Sequence, residues 1–213
     1  MAPEIVVQLA ILTLALAMFI AIQKLPREAL TKLRTKHRAT LQTNRHFVHG
    51  SHLLARARST NHRTQSQAHA KSALIEAEKA LSLSPKDPAP QLLKALALDL
   101  MGHKVSALKS LDLALSPPRV RSLSESERGD ALVKRAELKL AMNRRRRVDS
   151  AVDDLVEAVK LSGMNDKATA FCLLGECYEW KGMRQEAREA FQEALRVEPG
   201  SVAARQGFDR SGP

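Results

Sequence analysis

Two patterns of apolar and polar positions divide the chain. Residues 5–22 read IVVQLAILTLALAMFIAI and carry no charge, with Gln8 and Thr13 as polar interruptions. Further along, apolar residues recur at intervals of three and four among charged positions, which is typical of amphipathic helices. No stretch alternates apolar and polar residues as a half-buried strand does. The pattern predicts an all-α protein that begins with one uninterrupted apolar helix.

The apolar segment is long enough to cross a thin membrane. As a helix, its 18 residues reach roughly 27 Å at about 1.5 Å per residue. We therefore expect a transmembrane signal anchor over residues 1–23. One alternative is a cleaved signal peptide, which ordinarily begins with basic residues that are missing before Ile5. Another is a buried helix of a soluble protein, which ordinarily has a polar face.

The net charge of +11 is concentrated beside this segment. Residues 24–71 carry eleven Lys or Arg against one acidic residue, Glu28. Because cations follow the apolar segment and none precedes it, the positive-inside rule predicts a single-pass protein with a cytosolic C-terminal domain. The membrane would be the mitochondrial or plastid outer membrane, or the endoplasmic reticulum.

Residues 24–46 form a basic juxtamembrane neck, predicted to be helical from near Pro26. Its cations either contact anionic lipid head groups or only set the topology. The candidate lipid contacts are Lys24, Arg27, Lys32, Arg34, Lys36 and Arg38.

The C-terminal part of the chain contains a specific motif. Its residues are Phe171, Leu174, Gly175 and Tyr178 in one predicted helix, Gly182 at a turn, and Ala187, Phe191, Ala194 and Pro199 in and after the next helix. The motif resembles the tetratricopeptide repeat (TPR), a helix-turn-helix unit of about 34 residues with W-x2-L-G-x2-Y in its first helix and A-x3-F in its second. Phe171 takes the place of Trp. The resemblance implies helix pairs stacked into a short right-handed solenoid.

Weaker copies of the second-helix pattern occur upstream. They are Ala73, Ala77, Ala80; Ala107, Leu111, Ala114; and Ala151, Leu155, Ala158. The last alanines of successive copies, ending at Ala194, are 34, 44 and 36 residues apart. This spacing predicts three to four repeats. The strongest is 168–201, the second 88–117, a degenerate third 124–163 and a probable first 47–87.

Two insertions explain the irregular spacing. Residues 116–130 form a long linker in which Ser124 and Glu127 predict a capping box that opens the next helix. The polar residues 59–67 predict an enlarged turn in the first repeat. After Pro199, residues 202–208 predict a short capping helix that covers the last apolar face.

The resemblance implies that this chain works by binding. TPR domains hold a peptide in a groove formed by the first helices of successive repeats. The variety that clamps chaperone carboxylates uses Lys and Asn there, but the last repeat of this chain offers acidic and aromatic residues. We expect an acidic groove for a basic amphipathic segment, with ordinary solvated charge as the alternative. The candidate groove residues are Glu137, Glu176, Glu179 and Trp180.

Other candidate chemistry is sparse. Six of seven histidines lie between His37 and His69 without the spacing of a metal site, and the two cysteines, Cys172 and Cys177, share one predicted helix. The sequence contains no nucleophile elbow, phosphate loop or HExxH. We predict a non-enzymatic protein with no cofactor, metal or nucleic-acid partner. An arginine run could contact lipid or an acidic partner, and it comprises Arg144, Arg145, Arg146 and Arg147.

These observations predict a membrane-anchored scaffold or receptor whose TPR-like domain, residues 47–213, binds a protein or peptide. The alternative is an accessory, non-catalytic subunit of a membrane protein complex.

Overall fold

The computed structural model describes residues 2–24, 27–161 and 166–212, with side chains at 7–20 and from residue 40 onward within those ranges. All regular structure in this part of the chain is helical, which confirms the predicted all-α repeat architecture. The helices are α1 (Ala2–Lys24), α2 (Arg27–Ser59), α3 (Arg63–Leu83), α4 (Pro88–Leu100), α5 (Lys104–Ala114), α6 (Glu125–Lys160), α7 (Lys167–Trp180), α8 (Arg184–Val197) and α9 (Val202–Arg210), with a 3₁₀ helix at Arg119–Ser122.

The chain divides into two units, residues 1–42 and 43–213. In the first unit, every described side chain of α1, from Val7 to Ile20, is exposed. None of the helices within the described residues is long and apolar enough to cross a membrane. The transmembrane signal anchor expected over residues 1–23 is therefore not supported.

Several expectations for the first unit lie outside the described side chains. They concern the ends of the apolar segment, residues 5, 6, 21 and 22, and the lipid contacts Lys24, Arg27, Lys32, Arg34, Lys36 and Arg38.

The second unit is a series of helices, and each helix packs against the next along the chain from α3 to α9. Within α6, one residue, Asn143, has a non-helical backbone (φ −162°, ψ 88°) and divides the helix into two arms. The Asn143 side chain accepts a hydrogen bond from the backbone N–H of Arg146 (3.1 Å), so it caps the second arm. The two arms are the first and second helices of the third repeat.

Most helix ends follow local sequence signals. The capping box predicted at Ser124 and Glu127 is present at the start of α6. Gly102 and Gly182 follow α4 and α7 with positive φ (83° and 77°), which costs glycine nothing and lets the chain reverse direction. The predicted capping helix is also present, as α9.

The enlarged turn predicted at residues 59–67 is wrong. The connection between α2 and α3 comprises residues 60–62 only, because α3 already begins at Arg63. The polar side chains that suggested a loop form the exposed first turn of α3. Ser66 also donates a hydrogen bond to the backbone carbonyl of Ala57 (2.7 Å), which ties the start of α3 to the end of α2.

The second helix of each repeat turns three residues into the core, spaced four and three apart. They are Ala73, Ala77 and Ala80 in α3; Ala107, Leu111 and Ala114 in α5; Ala151, Leu155 and Ala158 in α6; and Ala187, Phe191 and Ala194 in α8, each at most 1% exposed. Nine of the twelve are alanines. Small side chains let helix axes approach closely. The core is therefore held together by close packing between the backbones of neighbouring helices.

Phe191 is the largest fully buried side chain, and its ring lies between two glycines. A Cβ atom on Gly175 of α7 would lie 2.7 Å from the ring, and one on Gly207 of α9 would lie 2.4 Å from it. Both distances are shorter than any van der Waals contact. The ring therefore joins α7, α8 and α9 through two contacts that only glycine permits.

We expect Gly207→Ala to destabilise the domain by about 1–3 kcal/mol, because the added methyl overpacks the ring of Phe191. Chemical denaturation followed by circular dichroism measures the loss. Gly200→Ala is the matched control, since a Cβ atom there meets nothing within 4 Å. The double variant Gly207→Ala/Phe191→Leu should recover part of the loss. Equal stability of both single variants would contradict this packing.

Candidate functional site

A cleft of about 480 Å³ lies on the face formed by the first helices of the repeats. Its walls come from α2, α4 and the first arm of α6, with one residue from α5 and one from just before α7. The lining residues are Arg58, Leu92, Leu96, Leu111, Glu127, Asp130, Ala131, Val133, Lys134, Glu137 and Asp166. Residues from α2, α4, α5, α6 and the connection before α7 therefore line one concavity.

The cleft combines an apolar surface with an acidic rim. Leu92 and Leu96 lie one helical turn apart on α4 and remain partly exposed, so they form an apolar strip within the cleft. Four carboxylates and two cations surround it, giving a net charge of −2. An apolar strip between carboxylates is complementary to a helix with apolar residues on one face and cations beside them.

Lys134 lies at the centre of one wall and is held by two carboxylates. Its ammonium group is 2.8 Å from Asp99 and 2.9 Å from Glu137. Burial alone would lower the pKa of Lys134, but the hydrogen bonds to Asp99 and Glu137 raise it above its usual value. The cation is therefore permanently charged and fixes the position of Glu137 at the rim.

The four candidate groove residues do not form one site. Glu137 lines the cleft, as expected, but Glu176 lies 3.6 Å from Arg144 instead. Glu179 accepts hydrogen bonds from Arg210 (3.0 Å) and from Ser211 (3.1 Å). Both carboxylates thus have structural partners in or beside the last repeat.

Trp180, the remaining candidate, is the last residue of α7 and is 46% exposed. It does not line the cleft. The arginine run occupies the break in α6, where Arg144, Arg145 and Arg146 are exposed and Arg147 is partly exposed.

Sequence reasoning missed most of the cleft because it considered charged and aromatic positions of the third and last repeats only. Leu92, Leu96 and Asp166 carry no motif of their own. The available signal was the helical register, since Leu92 and Leu96 flank the inward-facing positions Leu93 and Ala95 of α4. If the same positions are marked in the first helix of every repeat, Leu92 and Leu96 fall on the face that lines the cleft.

One histidine of the cluster between His37 and His69 has a structural partner. His46 on α2 contacts the Glu76 carboxylate on α3 at 2.7 Å. Hydrogen bonds from Lys79 and His46 lower the pKa of Glu76, so this carboxylate stays ionised and links the two helices. Within the described ranges, no group of three His, Cys, Asp or Glu residues could hold a metal ion.

Cys172 and Cys177 are free and buried. Burial raises the pKa of both thiols, and that of Cys177 reaches about 11. A thiol is a nucleophile only as its thiolate. Neither cysteine is therefore suited to catalysis near neutral pH.

Comparisons with known proteins agree with this geometry. Residues 168–201 match the family model of the tetratricopeptide repeat. Among solved structures, MamA shares 18% identity over 80% of each chain with a TM-score of 0.60. A structure from the functional characterization of Pseudomonas aeruginosa pilF shares 17% identity over 82% of this chain and 78% of that one, also at 0.60. Curated protein sequences give no significant match.

A third structure is YrrB, described as a TPR protein with an unusual peptide-binding site. It shares 20% identity over 68% of this chain and 69% of that one, with a TM-score of 0.55. At these identities the likeness concerns the fold. The chain is a TPR-like, all-α repeat protein.

We expect both thiols of the folded protein to resist Ellman's reagent at pH 8, because this pH lies well below the pKa of about 11 for Cys177 and both side chains are buried. Absorbance of the released chromophore measures the reaction. Unfolding in guanidinium should expose two reactive thiols per chain. Rapid labelling of the folded protein would show that the cysteines are accessible thiolates.

Proposed function

We propose that this protein is a non-catalytic scaffold whose cleft binds a basic amphipathic helix of a partner protein. The observation that carries the proposal is the apolar strip of Leu92 and Leu96 inside a rim of net charge −2. Leucines four residues apart match the apolar stripe of a helical ligand, which repeats at the same interval.

The charge of the rim favours a cationic ligand over an anionic one. Glu137 and Asp166 lie on different structural elements, the first arm of α6 and the connection before α7, so they are suited to contact cations on two sides of a bound helix. The cations Arg58 and Lys134 also line the cleft. Lys134 is paired with Asp99 and with Glu137, so a ligand cation would share the Glu137 carboxylate with Lys134. Capture of a C-terminal carboxylate is less favoured, because carboxylates outnumber cations in the lining.

A scaffold role also accords with the residue types in the described lining of the cleft, where neither a cysteine nor a histidine is found. The two thiols of the chain are buried in α7 with raised pKa values. Recognition rather than chemistry is the activity that this surface supports.

The N-terminal segment supports attachment to a membrane as a second part of the proposal. Residues 5–22 are uncharged in sequence, and the described side chains of α1 are exposed; examples are Leu12 at 66% and Leu14 at 70%. A row of exposed apolar side chains is unfavourable in water. With cations on its C-terminal side alone, attachment would leave the repeats in the cytosol. The protein would then be a receptor or an accessory subunit at that membrane.

We expect Glu137→Gln/Asp166→Asn to weaken binding of a basic amphipathic peptide roughly tenfold, because each rim charge contributes about 0.5–1 kcal/mol. Fluorescence anisotropy of a labelled peptide, with Leu at helical spacing and Lys between, measures the affinity for the full chain in mild detergent. The control is Glu186→Gln/Glu189→Gln, which removes two exposed carboxylates from α8.

Retention of full affinity by the cleft variant, or an equal loss in the α8 control, would overturn the assignment of the cleft. Preference for an acidic peptide of the same length would overturn the predicted ligand class.

We expect a C-terminal fluorescent fusion of the full chain to collect at a membrane and the same fusion without residues 1–24 to be diffuse, because this deletion removes the exposed apolar residues of α1. Imaging and cell fractionation measure the distribution. A diffuse full-length fusion would exclude membrane attachment while leaving the cleft proposal intact.

A further inference from the structure

The turns that join the first and second helices of the four repeats lie at one edge of the second unit. Successive helices run antiparallel because their connections are short, so the ends of α2, α4, the first arm of α6 and α7 share that edge. Contacts across the turns agree, since Lys181 after α7 lies 2.7 Å from Asp149 after the α6 break. We call residues 56–63, 101–104, 143–149 and 180–184 the turn edge.

The connections between repeats lie at the opposite edge. Arg119, in the connection between α5 and α6, donates a hydrogen bond to the backbone carbonyl of Pro85 (3.5 Å), in the connection between α3 and α4. Arg128 and Glu157, near the two outer ends of the α6 arms, form an ion pair at this end of the repeat. The two edges are therefore distinct surfaces.

Charge is strongly segregated onto the turn edge. It carries ten cations and one carboxylate, a net charge of +9, although residues 43–213 as a whole carry 28 cations and 21 carboxylates, a net charge of +7. The remainder of the unit is therefore slightly acidic. The ten cations are Arg56, Arg58, Arg63, Lys104, Arg144, Arg145, Arg146, Arg147, Lys181 and Arg184.

These cations are presented to solvent and are mostly arginines. All except Arg147 are exposed, and eight of the ten are Arg. Arg144 lies 3.6 Å from Glu176 and Lys181 lies 2.7 Å from Asp149, so these two cations are partly neutralised by carboxylates. A guanidinium group binds phosphate oxygens through two parallel hydrogen bonds, which an ammonium group cannot do. The turn edge is therefore better suited to bind a surface that carries phosphate groups than to attract anions of any kind.

Two exposed apolar side chains lie among the cations. Trp180, the only tryptophan of the chain, is 46% exposed directly before Lys181. Val105 is 55% exposed directly after Lys104. Tryptophan beside basic residues is the combination enriched where a protein meets the interface of a bilayer. A purely electrostatic surface would not need an aromatic ring in this position.

We propose that the turn edge docks on an anionic phospholipid membrane. Its guanidinium groups contact head-group phosphates, while Trp180 and Val105 enter the interfacial layer. The turn edge is separate from the acidic rim of the cleft apart from Arg58, which the two surfaces share. This docking does not require α1 to be in the membrane, and it does not require a peptide in the cleft.

Trp180 provides the test, because it is the only tryptophan and lies within the proposed contact. The full chain is mixed with vesicles of phosphatidylcholine alone or of phosphatidylcholine with phosphatidylserine. We expect tryptophan emission to shift to shorter wavelength, and brominated lipids to quench it, with the anionic vesicles only. High salt should reverse both effects, since it screens exposed charges.

Two triple variants with equal charge change separate the edges. Lys104→Gln/Arg145→Gln/Arg146→Gln removes exposed cations from the turn edge and should abolish most of the spectral shift. Lys86→Gln/Arg121→Gln/Lys160→Gln removes exposed cations from the opposite edge and should leave it unchanged. Neither variant alters Trp180 or the buried core.

Identical Trp180 emission with both vesicle types would overturn the proposal, as would an equal loss in the two variants. A shift produced by soluble polyglutamate but not by anionic vesicles would assign the turn edge to an acidic protein instead. Flotation with phosphatidylcholine vesicles reports attachment through α1 separately. Failure of that attachment therefore cannot be confused with failure of docking by the turn edge.

Discussion

The close approach of helices at small residues is the contact on which the rest of the structure depends. Aromatic residues make up only 3% of the chain, so rings fill little of the space between helices. Alanines such as Ala77 and Ala114 are fully buried, and dispersion contacts between nearby backbones add to those of the buried leucines. Phe191 is the largest fully buried side chain, and two glycines make room for its ring. The angle at which each repeat meets the next, and hence the cleft, follows from these contacts.

The repeat fold could be predicted because its determinants are local. Gly175 and Phe191 lie in neighbouring helices only sixteen residues apart, so their spacing in the sequence reflects their close approach in space. Capping at Ser124 is likewise a three-residue signal. The turn after α2 could not be predicted in the same way. Its polar residues are typical of a loop, but burial of Ala70 and Ala73 against neighbouring helices extends α3 through them.

The candidate site could be predicted only in part, because its residues come from separate repeats. Glu137 was expected at a groove, and it lines the cleft with Leu92, which lies 45 residues earlier in the chain. His46 and Glu76 meet across thirty residues. Charge shows the same limitation: summed along the chain, residues 72–213 are nearly neutral, with 23 cations and 21 carboxylates, although seven of the ten cations of the turn edge lie among them. The fold sorts these charges into a cationic edge and an acidic remainder.

This sorting has a physical consequence for how the domain would meet a charged surface. An anionic membrane attracts the turn edge and repels the carboxylates of the cleft rim, so the two forces produce a torque that favours one orientation. The torque acts over about a Debye length, near 8 Å at physiological salt. In the proposed orientation the ends of α2, α4 and α7 would face the lipid. A basic helix could then enter the cleft without competing for the same phosphates, because its cations seek the carboxylates that the membrane repels.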